Sequence, residues 1–318
     1  MGFLKGLESL GLGKMSDIDL LEDKKESEAK KAELAKEEQL KKEEAAKAEK
    51  AALLKREELK KAEELKKAEM AAKAAKVVDE STLIFDKTYK CPVCDRSFKC
   101  KTVKTGKARL ISQDIDLRPR FHDIDALKYE VVACPVCGYA SLPRTFEGLP
   151  SPQAKLVRER ISSSFTGLQG SNGDTYSYDD ALIRFRLALV NTVVKRGKLS
   201  ERGYVCLQIA WLLRGKRENL PEDTPDRDAV IEQLKQDENE MLLSAKQFLM
   251  DAFSQERMPL YSLDEPTSIY VIAALSAETG DTENALRWAS RLITSMSASE
   301  RIKERARVLK DKINNGEF

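Results

Sequence analysis

Histidine is almost missing from this 318-residue chain, since His122 is the only one. That scarcity removes two-histidine metalloprotease sites and leaves Ser-His-Asp and Cys-His pairs almost no means of assembly. No G-x-x-x-x-G-K-[ST] or G-x-G-x-x-G fingerprint occurs, so there is no recognisable phosphate-cradling loop for nucleotide chemistry. No stretch approaches the roughly twenty apolar residues of a membrane span. Six cysteines are too few for a disulfide-dense secreted scaffold. Net charge is also scarce: 55 Lys and Arg against 53 Asp and Glu leave a formal +2, with no global pull toward nucleic acid or membrane. Only Phe3-Leu4 precede Lys5, which excludes a signal-peptide hydrophobic core, and Gly6 stands where myristoylation needs Ser or Thr. These absences predict a soluble, cytoplasmic protein.

Glycine and proline are also absent from 27–76, a stretch dominated by Lys, Glu, Ala and Leu. Those residues favour helix. Glu37–Lys41, Glu38–Lys42, Glu43–Lys47 and Glu63–Lys67 are favourably oriented i,i+4 pairs. A coiled coil needs apolar residues at a mean spacing near 3.5, but here Glu57-Glu58-Leu59-Lys60-Lys61-Ala62 recurs as Glu63-Glu64-Leu65-Lys66-Lys67-Ala68 with a period of six. Each leucine therefore lands about 120° from the last. The reading is a single solvated helix, with a weak coiled coil as the alternative, spanning roughly 75 Å as a spacer. Ahead of it, Phe3, Leu4, Leu7 and Leu10 share a helical face that Gly11 and Gly13 end. That face is too small to fold alone. It is expected to dock on the protein's own body, on a partner groove or, with only Lys5 and Lys14 to meet headgroups, weakly on a membrane through residues 1–12.

What is present in strength is a pair of matched motifs, Cys91-Pro92-Val93-Cys94 and Cys134-Pro135-Val136-Cys137. About forty residues separate them, enough for a small antiparallel sheet to bring them together. Four thiolates in a tetrahedron form a closed structural zinc site with no vacant position for substrate. A single iron takes the same sulfur set and is the alternative. Strand-like alternation flanks the first knuckle (Leu83-Ile84-Phe85, Tyr89; Ser97 to Val103), and Tyr129 to Ala133 enters the second, which ends on Gly138. This is the logic of a zinc ribbon. Between the knuckles, Asp114 to Phe121 reads as a polar insertion without periodicity, in which Asp114 and Asp116 make turn hydrogen bonds or pair with Arg109, Arg118 or Arg120. Cys100 is expected half-buried outside the shell, Cys206 in the core near Trp211, and His122 as a solvated or capping residue.

Beyond Pro150 the pattern is helical, with helices expected near 152–164, 177–196, 200–216, 226–255, 266–279, 282–296 and 298–313, and with Ser177, Ser200, Asp226 and Asp281 as N-caps. Ala181, Phe185 and Ala188 follow the small–aromatic–small spacing of a tetratricopeptide second helix, and Ala285, Ala289 and Leu292 follow it more loosely. Arg184 and Arg287 occupy similar places in the two units and are expected on a solvated helix face, with lining a groove that meets an acidic peptide as the alternative.

The ordered set Tyr89-Lys90-Cys91-Pro92-Val93-Cys94, Lys107-Ala108-Arg109-Leu110, Asp114-Ile115-Asp116-Leu117-Arg118-Pro119 and Tyr129 through Cys137-Gly138-Tyr139-Ala140 resembles a bacterial family catalogued as domain of unknown function 2225. The resemblance covers about 80–250 and implies a zinc-ribbon module followed by tetratricopeptide-like helices. It implies no activity.

The resulting expectation is a mainly α protein with a small β zinc-ribbon module. Its four parts are an amphipathic docking peptide (1–18), a charged helical spacer (19–80), a four-cysteine zinc-ribbon module (81–149) and a tetratricopeptide-like helical domain (150–318). Cys91, Cys94, Cys134 and Cys137 are the metal ligands, one structural zinc ion is the cofactor, and no catalytic residue is assigned. Loss of one such cysteine is expected to unfold 81–145 and leave the later helices largely formed. The expected function is that of a non-enzymatic zinc-binding adaptor or scaffold that holds a peptide or protein through its helical domain. A nucleic-acid-binding zinc ribbon is the first alternative, because Lys87, Lys90, Arg96, Lys99, Lys101, Lys104, Lys107, Arg109, Arg118 and Arg120 outnumber the module's acids and Tyr89, Phe98 or Phe121 could stack on bases. A metal-dependent enzyme is the second.

Overall fold

The structure, a computed structural model, describes residues 78–168 and 173–318. The docking peptide and the charged helix expected up to residue 77 lie outside the described residues. Residues Val78–Phe318 form one compact unit.

Three short antiparallel hairpins make up the first part of that unit, each a separate two-stranded sheet. The β-favouring runs β1 (Ile84–Lys90) and β2 (Ser97–Val103) pair from Ile84↔Val103 to Lys90↔Ser97, with Cys91–Cys94 as the turn between them. Alternation in β2 points Phe98 and Cys100 inward. The two-residue strands β5 (Val132–Ala133) and β6 (Ala140–Ser141) bracket Cys134–Cys137 in the same way. The intervening segment, expected as an irregular insertion, is a hairpin of β3 (Arg109–Gln113) and β4 (Pro119–His122) with a register shift between Leu110 and Ser112. Every β3 residue is exposed and every β4 residue half-buried, so no period-two hydrophobic signal marks these strands.

Eight α-helices follow. They are α1 (Pro143–Phe146), α2 (Ser151–Val157, continued by a π turn over Arg158–Ser162), α3 (Tyr178–Val194), α4 (Leu199–Glu218), α5 (Arg227–Gln255), α6 (Glu265–Glu278), α7 (Thr282–Thr294) and α8 (Glu300–Asn314). Ser177 starts α3 with a full capping box to Asp180, and Asp281 caps α7 through the Asn284 amide. Two expected caps differ. Asp226 precedes α5 in left-handed backbone without a side-chain cap. Ser200 lies inside α4, whose first amides, Leu199 and Ser200, donate instead to the carboxylate of Glu256 at 2.7 and 3.2 Å. A cap from a residue 56 positions away carries no local sequence signature.

From α3 to α8, consecutive helices pack on one another. Ala181, Phe185 and Ala188 in α3, and Ala285, Ala289 and Leu292 in α7, are fully buried, and the alanines allow close helix approach. Helix α6 is buried on all sides from Ser268 to Ala277, as expected of a helix with no solvent face. The main core does not stop at the helices: Leu127, Val131 and Ala133 of the hairpin region share it with Ala181, Phe185, Leu212 and Ile272. Among the described residues no helix is long and apolar enough to cross a membrane.

Candidate metal centre

The two knuckles converge. The sulfurs of Cys91, Cys94, Cys134 and Cys137 all lie within 4.8 Å of one another, a set able to hold one metal ion. Cys91 Sγ is 3.4 Å from Cys137 Sγ, and Cys94 Sγ is 3.7 Å from Cys134 Sγ. Four thiolates at about 2.3 Å from a tetrahedral ion would stand about 3.8 Å apart, so the spacing fits such an ion with little adjustment. Cys91 and Cys134 are fully buried, Cys137 is nearly so, and Cys94 reaches partly to the surface.

Both knuckles use one backbone pattern. The Cys91 amide donates to Arg96 O at 3.0 Å and the Cys134 amide to Tyr139 O at 2.8 Å. The first cysteine's carbonyl accepts from the amide four residues on, Asp95 (2.9 Å) or Gly138 (3.2 Å). That residue takes positive φ in each, +58° at Asp95 and +74° at Gly138. Behind the sulfurs, Tyr89, Phe98, Tyr139 and Phe146 form an aromatic wall with ring centroids 4.9 to 6.2 Å apart. With no cation, four thiols this close cannot all ionise. Hydrogen bonds from Cys137 and Cys91 hold Cys134 far below the usual thiol range, while the contact with Cys134 pushes Cys91 up to about 12 and raises Cys137 as well. A bound dication favours the thiolate form of all four.

The helices grip the knuckle backbone directly, which sequence reasoning missed. Arg158 donates to Val93 O (2.8 Å), Ser162 to Cys137 O (2.9 Å) and Asn191 to Gly138 O (2.9 Å). Asn191 is fully buried in α3, and its helical spacing from Phe185 and Ala188, which puts an amide on their buried face, is the signal that could have exposed it.

The remaining singled-out residues lie elsewhere. Cys100 is buried rather than half-buried, with its sulfur 3.8 Å from the Tyr176 hydroxyl and outside the four-sulfur cluster; burial raises its pKa. Cys206 is buried in the core, which pushes its thiol up to about 12. His122 Nδ1 sits 2.7 Å from the carboxylate of its neighbour Asp123. Arg184 is neither on a solvated face nor in a groove: it is buried, donates to Asp180 O and lies 3.8 Å over the Tyr176 ring. Arg287 is exposed.

Asp114 and Asp116 anchor the β3–β4 hairpin to the helices. Fully buried Asp116 accepts from the Arg118 amide (3.1 Å) and Trp211 Nε1 (2.8 Å), and pairs with Arg214 at 3.1 Å. Arg214 reaches on to Glu238 (2.6 Å) and Glu278 (3.0 Å), and Arg118 pairs with Glu218 at 2.9 Å. The turn hydrogen bond is the expected one, but the partners on α4, α5 and α6 were not foreseen. Burial, and then the nearby Asp116 charge, push the Glu278 carboxyl up to about 8.

A family model described as "Uncharacterized protein conserved in bacteria (DUF2225)" matches residues 84–313. That span is most of the chain, and the chain belongs to this family. No curated protein and no solved structure matches it.

Proposed function

We propose that this DUF2225 member is a non-enzymatic adaptor whose zinc ion is structural and whose helical part contacts a peptide or protein partner. Closure of the metal site carries the reading. All four positions of a tetrahedral ion are taken by sulfurs from the chain, three of them buried, with none left for substrate. An all-thiolate tetrahedral set suits zinc, with a single iron second. Asp116 and Arg214, charged groups below the β3–β4 hairpin, are engaged in holding it to the helices.

Support for a partner surface comes from α3. It leaves Ile183, Val190 and Val193 exposed at 43, 51 and 52%. A cleft of ≈ 320 Å³ that includes Val190 is lined by Leu189, Ile209, Leu213 and Met241 and rimmed by Arg186, Asp237 and Glu240. Exposed apolar side chains on one helix next to an apolar-floored cleft with a charged rim are a pattern found at interaction sites. The buried alanines of α3 and α7 support a tetratricopeptide-like stack. The test combines metal analysis with crosslinking capture. One zinc per chain is expected, with a partner captured by wild type and lost on Val190→Asp at unchanged Tm. Turnover of a substrate by the purified protein, lost on changing Asp116 or His122 in otherwise folded, zinc-loaded protein, overturns the proposal.

Nucleic-acid binding stays as a second reading because the first hairpin exposes Lys87, Lys90, Arg96 and Lys99. The aromatic residues named for stacking weaken it, since Tyr89 and Phe98 are buried in the wall behind the cysteines. Binding to single-stranded DNA that falls steeply with salt and is lost on Lys87→Ala/Lys99→Ala supports this reading instead.

A further inference from the structure

A second concave site lies away from the cysteines, between the loop after α1, the α3–α4 turn and the loop after α5. It is a cleft of ≈ 500 Å³, within the size range of small-molecule sites. Its lining includes four cations, Arg144, Lys195, Lys198 and Arg257, and one carboxylate, Glu201. The chain as a whole is nearly neutral, so this concentration of one sign in one concavity is local and specific.

The lining's acid is already occupied. Lys195, only 4% exposed, sits at the floor with its Nζ 2.7 Å from Glu201 Oε1, and Thr145 Oγ1 also reaches that carboxylate at 3.4 Å. Gly197 makes this floor fit: a Cβ there would stand 2.8 Å from Glu201 Oε2 and 3.2 Å from Lys195 Cε. The neighbouring acid, Glu256, is committed to the first amides of α4 and to the Ser200 hydroxyl at 2.6 Å. Arg144, Lys198 and Arg257 are exposed, and among the described residues none of the three forms an ion pair; Arg144 has a hydroxyl partner, Ser262, at 3.3 Å. Three unpaired cations around a cavity with its one acid neutralised make a positive pocket, and two of them are guanidinium groups suited to bidentate phosphate contacts. The Thr145 and Tyr261 hydroxyls, 3.4 Å from each other on the same wall, add groups that can donate to oxygen.

We infer that this cleft binds a small phosphate-bearing ligand carrying more than one negative charge. The site is separate from the metal centre and independent of the adaptor reading.

The experiment titrates full-length, metal-loaded protein with inorganic pyrophosphate by calorimetry at constant ionic strength. Saturable one-to-one binding is expected, weakened about tenfold or more by each of Arg144→Ala, Lys198→Ala and Arg257→Ala. Because all three side chains are exposed, the variants are expected to keep the wild-type Tm. Lys87→Ala/Lys99→Ala on the first hairpin serves as a control for basic residues outside the cleft and is expected to bind as wild type does. The inference is overturned by an absence of saturable binding, or by heats that the three cleft substitutions leave unchanged, as chelation of the metal would give. Equal loss in the hairpin control, or a polyglutamate peptide that occupies the cleft and is not displaced by pyrophosphate, also overturns it.

Discussion

The two knuckles share the sequence Cys-Pro-Val-Cys and one hydrogen-bond pattern, yet they stand in different surroundings. The first turns at the end of a hairpin of two seven-residue strands whose outer face is solvent, and Arg158 hydrogen-bonds to it from the helical part. The second is flanked by strands of two residues and is enclosed by Ser162 and Asn191, with Ile161 and Phe165 against Gly138. What makes a knuckle is therefore local, and what fixes it in place is not. The strand pairing that the second knuckle lacks is replaced by contacts from the helices.

Metal loss is the largest expected effect and the one the knuckles share. Cys91→Ser and Cys134→Ser should each abolish metal binding, which in small structural sites contributes on the order of 10 kcal/mol. Their reach should differ. The sequence alone suggests that the later helices stay formed, but the core that Leu127, Val131 and Ala133 share with α3 carries the disturbance onward. Hydrogen exchange should rise in β1 and β2 for both variants, and around Asn191 in α3 mainly for Cys134→Ser. Equal exchange in α3 for the two would erase the contrast.

Next comes the positive-φ position. Gly138→Ala would place Cβ 2.7 Å from the Phe165 ring on backbone that disfavours a side chain, for a loss of about 3 kcal/mol or more. Asp95→Ala at the matching place is exposed and should cost under about 1 kcal/mol. Chemical denaturation of the metal-loaded variants measures both, and similar losses would show that the helices do not crowd the second knuckle. The clamps should rank the same way. Asn191→Ala leaves the Gly138 carbonyl without its side-chain partner and should cost about 1–3 kcal/mol, against about 0.5–1.5 for Arg158→Ala.

The hairpin anchor offers a titratable contrast to these clamps, with an effect that is smallest at low pH. With its pKa raised from 4.5 to about 8, Glu278 must take up a proton on folding at neutral pH, so Glu278→Gln should match wild type near pH 4 and have the higher Tm at neutral pH. A raised acid pKa means that the folded state binds the extra proton, so its contribution is present at low pH and declines as pH rises from about 4.5 to 8. The Gln variant should lack that decline. A parallel pH profile for the two proteins would show Glu278 ionised throughout.

The pairing of the four cysteines into one cluster and the helices from Ser151 onward were legible because each leaves a local signature: spacing for the cysteines, a 3.6-residue period and end signals for the helices. The β3–β4 hairpin was not, since its strands bury no alternate face. The reach of Asp116 to Trp211 and Arg214, and of Glu256 to the start of α4, was hidden because such partners lie tens of residues away. Arg184 misled for a related reason. Its place beside Phe185 suggested a surface arginine, but it lies over the Tyr176 ring and donates to Asp180 O.

X-ray absorption at the metal edge of purified full-length protein tests the central claim most directly. A closed structural site predicts one zinc per chain surrounded by four sulfurs at about 2.3 Å, unchanged by small-molecule ligands. An oxygen or nitrogen ligand in that shell, or iron in place of zinc, would contradict it.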